Sequence, residues 1–321
     1  MRRCAVALLA LLTLALPAQA DTYPSRTVTI EVPFAAGGGS DLLARLVAQK
    51  LEEKLGKPFI IENRPGAATT LAAMQVVRAA PDGYTLMQAT SSTMAINVSM
   101  AKKIPYEPLK DLVPVALLSS SPFFLVVSKD SPFRSVADVI AAAKAKPNSL
   151  TYGSGGPGSM HHLSTELLQS LAGIQMIHVP YKATPPAMND LIAGNIQVLF
   201  GDTTSTLPFI KQGTVRALAV TTAKRSPAAP DVPAMAETVP GFESASWQML
   251  VAPGGTPPEV IALLNGKVHE IFSDPAVIGE LERRGIGPAL TGNPDEVREF
   301  VKNEIVRWGD VVKRAGLEGT Q

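Results

Sequence analysis

Apolar and polar residues alternate through Thr27 to Val32 (TVTIEV), and the β-branched positions predict a strand. From Ser40 to Leu55 the apolar residues fall at Leu42, Leu43, Leu46, Val47 and Leu51, the spacing of one helix face. Phe59 to Glu62 reads as a second strand, Leu71 to Ala80 as a helix stopped by Pro81-Asp82-Gly83, and Thr85 to Gln88 as a third strand. Val113 to Val127 contains two short extended pieces. Helices are predicted at Val136–Ala145, Met160–Leu171 and Pro186–Ala193. Strands are predicted at Leu150–Gly153, Met176–Val179, Gln197–Phe200, Ala217–Thr221 and Trp247–Ala252. Arg225 to Phe242 is Pro- and Ala-rich and reads as an irregular crossing. Beyond Pro253 the pattern is helical over Pro258–Ser273, Pro275–Arg284 and Pro294–Ala315. Strands alternating with helices predict α/β architecture with parallel sheets covered by helices.

The first twenty residues break this pattern. Arg2 and Arg3 precede an apolar run, Ala5 to Leu16, and Ala18-Gln19-Ala20 is a small-x-small cleavage site. This is the layout of a cleaved secretory signal, and the run is too short for a membrane span. The one cysteine, Cys4, lies inside it, so the mature chain is expected to have neither thiol nor disulfide. Losing Arg2 and Arg3 leaves 27 basic against 28 acidic residues, a net charge of −1. Such a chain has no basic field for nucleic acid or an anionic membrane. Roughly 300 residues suit two domains with a cleft between them.

Candidate chemistry concentrates where strands open into helices. Gly37-Gly38-Gly39 lies between the first strand and a helix that Ser40 is expected to cap and Asp41 to follow. The first N–H groups of a helix lack internal partners and carry part of its dipole, and glycine lets a ligand approach them. The same residues also make a tight, well-capped turn. The plan recurs at Leu150 to Leu168: a strand, Gly153-Ser154-Gly155-Gly156, then Gly158-Ser159 opening a helix. Two such loops, one per lobe, suit a small carboxylate clamped between closing domains. Thr90, Ser91, Ser92 and Thr93 follow the third strand, as ligand donors or as helix caps. Asp41 and Arg45, spaced i, i+4, form a helical ion pair in the plainer reading; in the sharper one Asp41 orients the loop or receives an ammonium group.

Enzyme motifs are absent. No G-x-S-x-G, P-loop or H-E-x-x-H occurs. Adjacent His161 and His162 diverge on a helix and are poorly placed to share a metal. His162 is read first as a helix-face histidine bonded to a backbone carbonyl and second as a ligand contact, and Lys182 first as solvated. No metal or cofactor is expected. A secreted hydrolase using Ser159 or Ser154 is the alternative, and it lacks an identified third group.

Several blocks together resemble the Bug-type solute-binding proteins of tripartite tricarboxylate transporters: VPFAAGGGSDLLAR (Val32–Arg45), NRPGA (Asn63–Ala67), PDGYTL (Pro81–Leu86), STMAIN (Ser92–Asn97), YGSGGPGSMHHL (Tyr152–Leu163), HVPYK (His178–Lys182), VRALAVT (Val215–Thr221) and SWQMLVAPGGTP (Ser246–Pro257). The resemblance is collinear over nearly the whole mature chain. It implies a two-lobed periplasmic binding protein fold (type II), each lobe a mainly parallel sheet flanked by helices. Residues 1–20 would be the signal, 21–122 with 248–321 lobe I, and 123–247 lobe II, with crossings near Ser120–Val126 and Trp247–Ala252. It implies a ligand carboxylate held between the two Gly-rich loops, and candidate contacts at Phe34, Ala36, Gly38, Ser40, Asp41, Thr90, Ser91, Thr93, Ser154, Gly155, Gly158, Ser159, His162, Tyr181 and Asp202. Two departures from the family pattern, Ala183 after Tyr181-Lys182 and Gly201 before Asp202, lie on the side that reads the rest of the ligand. The expected partners are a dicarboxylate, tricarboxylate, amino acid or aromatic acid and membrane permease subunits, with the receptor a periplasmic monomer. A ligand sensor acting through a signalling partner is a further alternative.

Overall fold

The structure is a computed structural model that describes residues 23–181, 184–226, 229–283, 286–287 and 292–320. The expected signal, residues 1–20, and Lys182 and Ala183 lie outside the described residues.

Nine strands form one curled sheet in the order β2-β1-β3-β9-β4-β7-β5-β6, with β8 also on β4. In chain order these are β1 (Val28–Val32), β2 (Phe59–Asn63), β3 (Thr85–Thr90), β4 (Leu112–Ser128), β5 (Thr151–Ser154), β6 (Ile177–Pro180), β7 (Val198–Asp202), β8 (Val215–Val220) and β9 (Ala245–Pro253). The helices that matter below are α1 (Gly39–Leu55), α2 (Thr70–Val77), α3 (Val136–Ala145), α4 (Met160–Ala172), α5 (Thr184–Ala193), α6 (Thr203–Lys211), α7 (Pro258–Phe272), α8 (Pro275–Arg283) and α9 (Pro294–Arg314). β1 pairs parallel with β2 and β3, and β5 with β6 and β7. Every pair involving β4 or β9 is antiparallel. The parallel pairs are those joined by crossover helices, as the βαβ pattern predicts.

Two elements differ from expectation. Val113 to Val127 is one 17-residue strand, not two pieces. Pro114, Pro122 and three successive serines read as breaks in the sequence. The chain instead absorbs them in register shifts at Pro114/Ala116 and Leu117/Ser119, and Pro122 still aligns with Ala245. Helix α6 was not expected, because it opens on hydroxyl residues and contains Pro208. Asp202 caps it by accepting from the Ser205 N–H at 2.9 Å.

β4 changes partners half-way along. Residues 112–122 pair with β9, and residues 123–128 with β7 and β8. The return crossing is stitched beside it: Phe123 N–H donates to Thr221 Oγ1 at 2.8 Å, and Ser244 N–H to the Thr221 carbonyl at 2.9 Å. The ends of β3 and β7 therefore arrive close together. Thr90 pairs with Gln248, which pairs with Ser119, and Asp202 pairs with Phe123.

One apolar core runs across both strand groups and includes Met94, Phe123, Tyr152, Leu163, Trp247 and Trp308. Helix α9 closes it. Its Asn293 cap accepts from the N–H groups of Asp295 and Glu296, and Glu296 returns a bond to the Asn293 N–H. Inside the core the Glu304 carboxylate accepts from Trp247 Nε1 at 2.6 Å, Trp308 Nε1 at 2.8 Å and Arg307 at 3.0 Å. Glu304→Ala leaves two buried indole N–H groups without acceptors. It is expected to cost about 3–5 kcal/mol and lower the melting midpoint by roughly 10 °C. A midpoint unchanged in calorimetry would refute this account of the core.

Candidate functional site

The β1–α1 loop is held by one carboxylate. Asp41 Oδ2 accepts from the Gly37 N–H at 2.9 Å and from Arg45 Nε at 2.9 Å, while Oδ1 accepts from Asn63 Nδ2 at 2.9 Å. Asn63, at the end of β2, also donates to the Phe34 carbonyl at 3.0 Å, so both ends of the loop are tied to one pair of side chains. Burial pushes the Asp41 carboxyl up, but the bonds from Arg45, Gly37 and Asn63 outweigh it and hold the group at about 2. Both readings of Asp41 thus describe real contacts: it pairs with Arg45 and it orients the loop.

The helix cap is Gly38, not Ser40, which falls in the first turn. Gly38 brings no side-chain acceptor to the first-turn amides. The three glycines have different reasons to be glycine. Gly37 has φ +87°, a left-handed conformation that side chains disfavour. Gly38 has φ −79°, and a Cβ there would meet nothing nearer than the Ala35 carbonyl at 3.8 Å. A Cβ on Gly39 would meet nothing within 4 Å. The fold therefore has no need of glycine at 38 or 39, and their bare backbone faces open space. Phe34 stands exposed in the same loop, which also contains Ala36.

Two hydroxyls of the patch after β3, those of Thr90 and Thr93, are spent on structure. Thr90 and Thr93 are buried and bond each other at 3.2 Å, and Thr93 donates to Thr69 at 2.8 Å. Ser91 is buried beside them. This network ties down a turn that sequence reasoning missed: Ala67, Ala68 and Thr69 all have positive φ, between 46° and 78°. Three consecutive non-glycine residues in that region are strained and persist only where their surroundings hold them, a condition common at ligand sites. Asn97 holds the turn from the other side, donating to the Ala68 carbonyl at 2.7 Å. Pro65-Gly66 directly after β2 was the available signal.

The second glycine loop is fastened by histidines. Ser154 is fully buried at the end of β5; its Oγ accepts from the Gly156 N–H at 3.0 Å and lies 2.6 Å from His178 Nε2. Ser159 caps α4, accepting from the His162 N–H and donating to the Gly156 carbonyl at 2.7 Å. His162 points inward: its Nδ1 accepts from the Gly158 N–H at 3.1 Å. This corrects the plainer expectation of a histidine bonded to a backbone carbonyl, since the ring accepts from an amide. Gly156 and Gly158 have φ of +110° and +71°, so here glycine serves conformation. A Cβ on Gly155 would press on His161 Nδ1 at 3.4 Å.

Tyr181 and Asp202 border this loop. The Tyr181 N–H donates to the Ser154 carbonyl at 2.9 Å and its hydroxyl to Asp190 at 2.6 Å; burial, and then this bond, push the phenol up to about 12. Asp202 accepts from Thr184 Oγ1 at 2.9 Å and from Ser205, and His161 Nε2 stands 3.7 Å away. Burial pushes this carboxyl up, and the His161 and Ser205 contacts more than offset it and hold it below the usual range. Helix phase decides the roles of the adjacent histidines: His161 faces Asp202, and His162 faces the loop.

Neither candidate serine is presented as a nucleophile. Ser154 lies beside a histidine but is fully buried, and the Ser159 hydroxyl and His162 Nδ1 are committed to backbone groups. Among the described residues no cluster of three His, Cys, Asp or Glu could hold a metal, and no helix is long and apolar enough to cross a membrane. A cavity of about 870 Å³ lies by the crossing strands, walled by Ser120, Pro122, Thr203, Leu207, Arg283 and Ile286 among others. It includes neither glycine loop. The first-turn amides of α1, to which Gly38 brings no side-chain acceptor, make the loops the candidate site.

A family model described as the tripartite tricarboxylate transporter family receptor matches residues 43–317. The chain belongs to that family. Protein BugT of Bordetella pertussis is 37% identical over 307 residues, 95% of this chain and 94% of that protein. Two similar solved structures come from Rhodopseudomonas palustris. Rpa4515 with adipate is 39% identical with a TM-score of 0.77, over 92% of this chain and 98% of that one. MatC with bound malate is 35% identical with a TM-score of 0.72, over 90% and 100%. As a family receptor, the chain is a solute-binding protein of the periplasmic type.

The depressed Asp41 group makes a stability prediction. Its folded value is about 2 against an ordinary 3.8. The contribution is therefore present above pH 4 and lost as pH falls from 4 through 2. Asp41→Asn should cost on the order of 2 kcal/mol at pH 7, with the gap to the parent closing by pH 2. Urea unfolding at the two pH values measures it, and a gap independent of pH would contradict the assignment.

Proposed function

We propose that this receptor captures a small carboxylate between the Phe34–Asp41 loop and the Ser154–Ser159 loop, without catalysing its conversion. The observation that carries the reading is the freedom at Gly38 and Gly39: the fold does not require glycine there, so bare backbone at the mouth of a 17-residue helix serves access. Helix N-termini bind anions through their orphan N–H groups and dipole. Adipate in one relative and malate in another are carboxylates of the expected kind.

Residues 21–122 with 248–321 act as one lobe and 123–247 as the other, hinged where β4 changes partners and where Ser244 returns. A ligand held by both loops favours the closed arrangement. Gly38, Gly39 and Ser40 are the contacts of the first lobe, and Gly155 that of the second, with Gly158 held behind it by His162. Phe34 and Ala36 form the wall. Asp41, Thr90, Ser91, Thr93, Ser154, Ser159, His162 and Tyr181 support the loops from behind, and Asp202 with His161 meets the far end of the ligand. The mature protein works in the periplasm as a monomer, handing its ligand to the membrane permease subunits of a tripartite tricarboxylate transporter.

A thermal-shift panel of adipate, malate, other carboxylates, amino acids and sugars tests this. A ligand at about a hundred times its Kd adds about 2.7 kcal/mol, several degrees in melting midpoint. Gly38→Val and Gly39→Val should melt close to the parent yet lose the carboxylate-induced shift. A full shift in both variants would remove the helix mouth from the site.

A further inference from the structure

The second glycine loop rests on two stacked imidazoles. His162, from the first turn of α4, and His178, from β6, lie parallel with ring centroids 4.0 Å apart and planes 9° apart. Tyr152 from β5 continues the stack on His178 at 4.9 Å and 15°. Each histidine holds the loop at a different atom. His162 Nδ1 accepts the Gly158 N–H at 3.1 Å, and His178 Nε2 contacts the Ser154 hydroxyl at 2.6 Å, the same hydroxyl that accepts from Gly156.

These contacts fix the charge of the His162 ring. A nitrogen that accepts from an amide N–H carries no proton, so the proton of this ring is on Nε2, which points to Glu166 Oε1 at 3.7 Å. Glu166 is the carboxylate facing the stack from the next turn of α4. It is held by the Tyr152 hydroxyl at 2.6 Å and Gln169 Nε2 at 2.7 Å. Ser154 and the Tyr152 phenol face the stack from β5. Two rings 4.0 Å apart cannot both be charged cheaply.

We propose that His162 and His178 are positioning residues whose neutral stacked form shapes the second glycine loop for its ligand, so that protonation of the pair releases the Gly158 amide and lets the ligand go. His162 is the sensing group. A protonated Nδ1 donates rather than accepts, and it would then face the Gly158 N–H donor to donor. Burial and the neighbouring His178 hold the His162 ring down at about 4, and burial lowers His178. Release therefore belongs to acidic conditions, and the loop is fully formed at neutral pH. Only the consequence for ligand rests on the receptor reading given above; the loop geometry stands without it.

The test separates those two parts. In ligand-free protein labelled with ¹⁵N-glycine, the Gly158 amide should move with the same midpoint as the His162 ring resonances between pH 7 and 3.5. His162→Asn places an Oδ1 that accepts from Gly158 at any pH, and should abolish the movement. His178→Phe keeps the stack, removes the second charge, and should shift the midpoint upward. A His162 ring that titrates while the Gly158 amide stays fixed overturns the proposal, as does a movement that survives in His162→Asn. Adipate affinity then gives the functional arm. The parent-to-Asn affinity ratio cancels the ligand's own titration, and should fall about twofold at the ring midpoint and about tenfold one pH unit below it. A ratio independent of pH overturns the link to release. Failure of adipate to bind either protein at pH 7 would count against the carboxylate reading, while the amide titration would still decide the loop mechanism.

Discussion

Everything in this molecule hangs from hydrogen bonds along one strand. β4 is paired through residues 112–122 with β9 and through 123–128 with β7 and β8. Backbone pairing fixes direction and register, so β4 dictates where the other strands end. β3 and β7 stop within a few positions of each other along it, and their loops become neighbours of the crossing rather than of remote faces. Parallel strands on either side then inherit the same edge, which is where open α/β sheets bind ligands. The strand tolerates its prolines because register shifts take up the lost donors.

Much of this was written in local patterns. The apolar spacing of Leu43, Val47 and Leu51 announced α1, and alternation announced β1. β4 was harder to see, because Pro114, Pro122 and Ser119–Ser121 look like punctuation when partners are unknown. The same limit applies to α6, whose start depends on Asp202 reaching Ser205. At the site, the loops were legible as glycine runs, but the job of each side chain was not. Thr93 reads as a free hydroxyl until the left-handed turn at residues 67–69 brings Thr69 to it. His161 and His162 are adjacent letters, and only helix phase sends one to Asp202 and the other to Gly158.

The two glycine loops solve one problem in different ways. In the first, a carboxylate and an amide fasten the ends, and the middle is left uncovered: Asp41 and Asn63 bind Gly37 and Phe34, while Gly38 and Gly39 stay bare. In the second, the side chains sit behind the backbone, with Ser154, Ser159 and His162 each bonded to a glycine of the loop. Both arrangements turn polar side chains away from contact and toward support. Support of this kind limits how far the loops rearrange.

Helix α9 has a bearing on how the chain reaches this state. It is the last helix, yet it packs against the π-helical turn at Ser92–Ile96, against β4 and against α4, and its Glu304 receives the indole of Trp247. The N-terminal strands thus lack a wall of their core until the final turns of the chain are available. Such long-range closure slows folding. Removing α9 would take Trp308 from the core and the acceptor from Trp247, so the glycine loops would remain in sequence but lose the scaffold that shapes them.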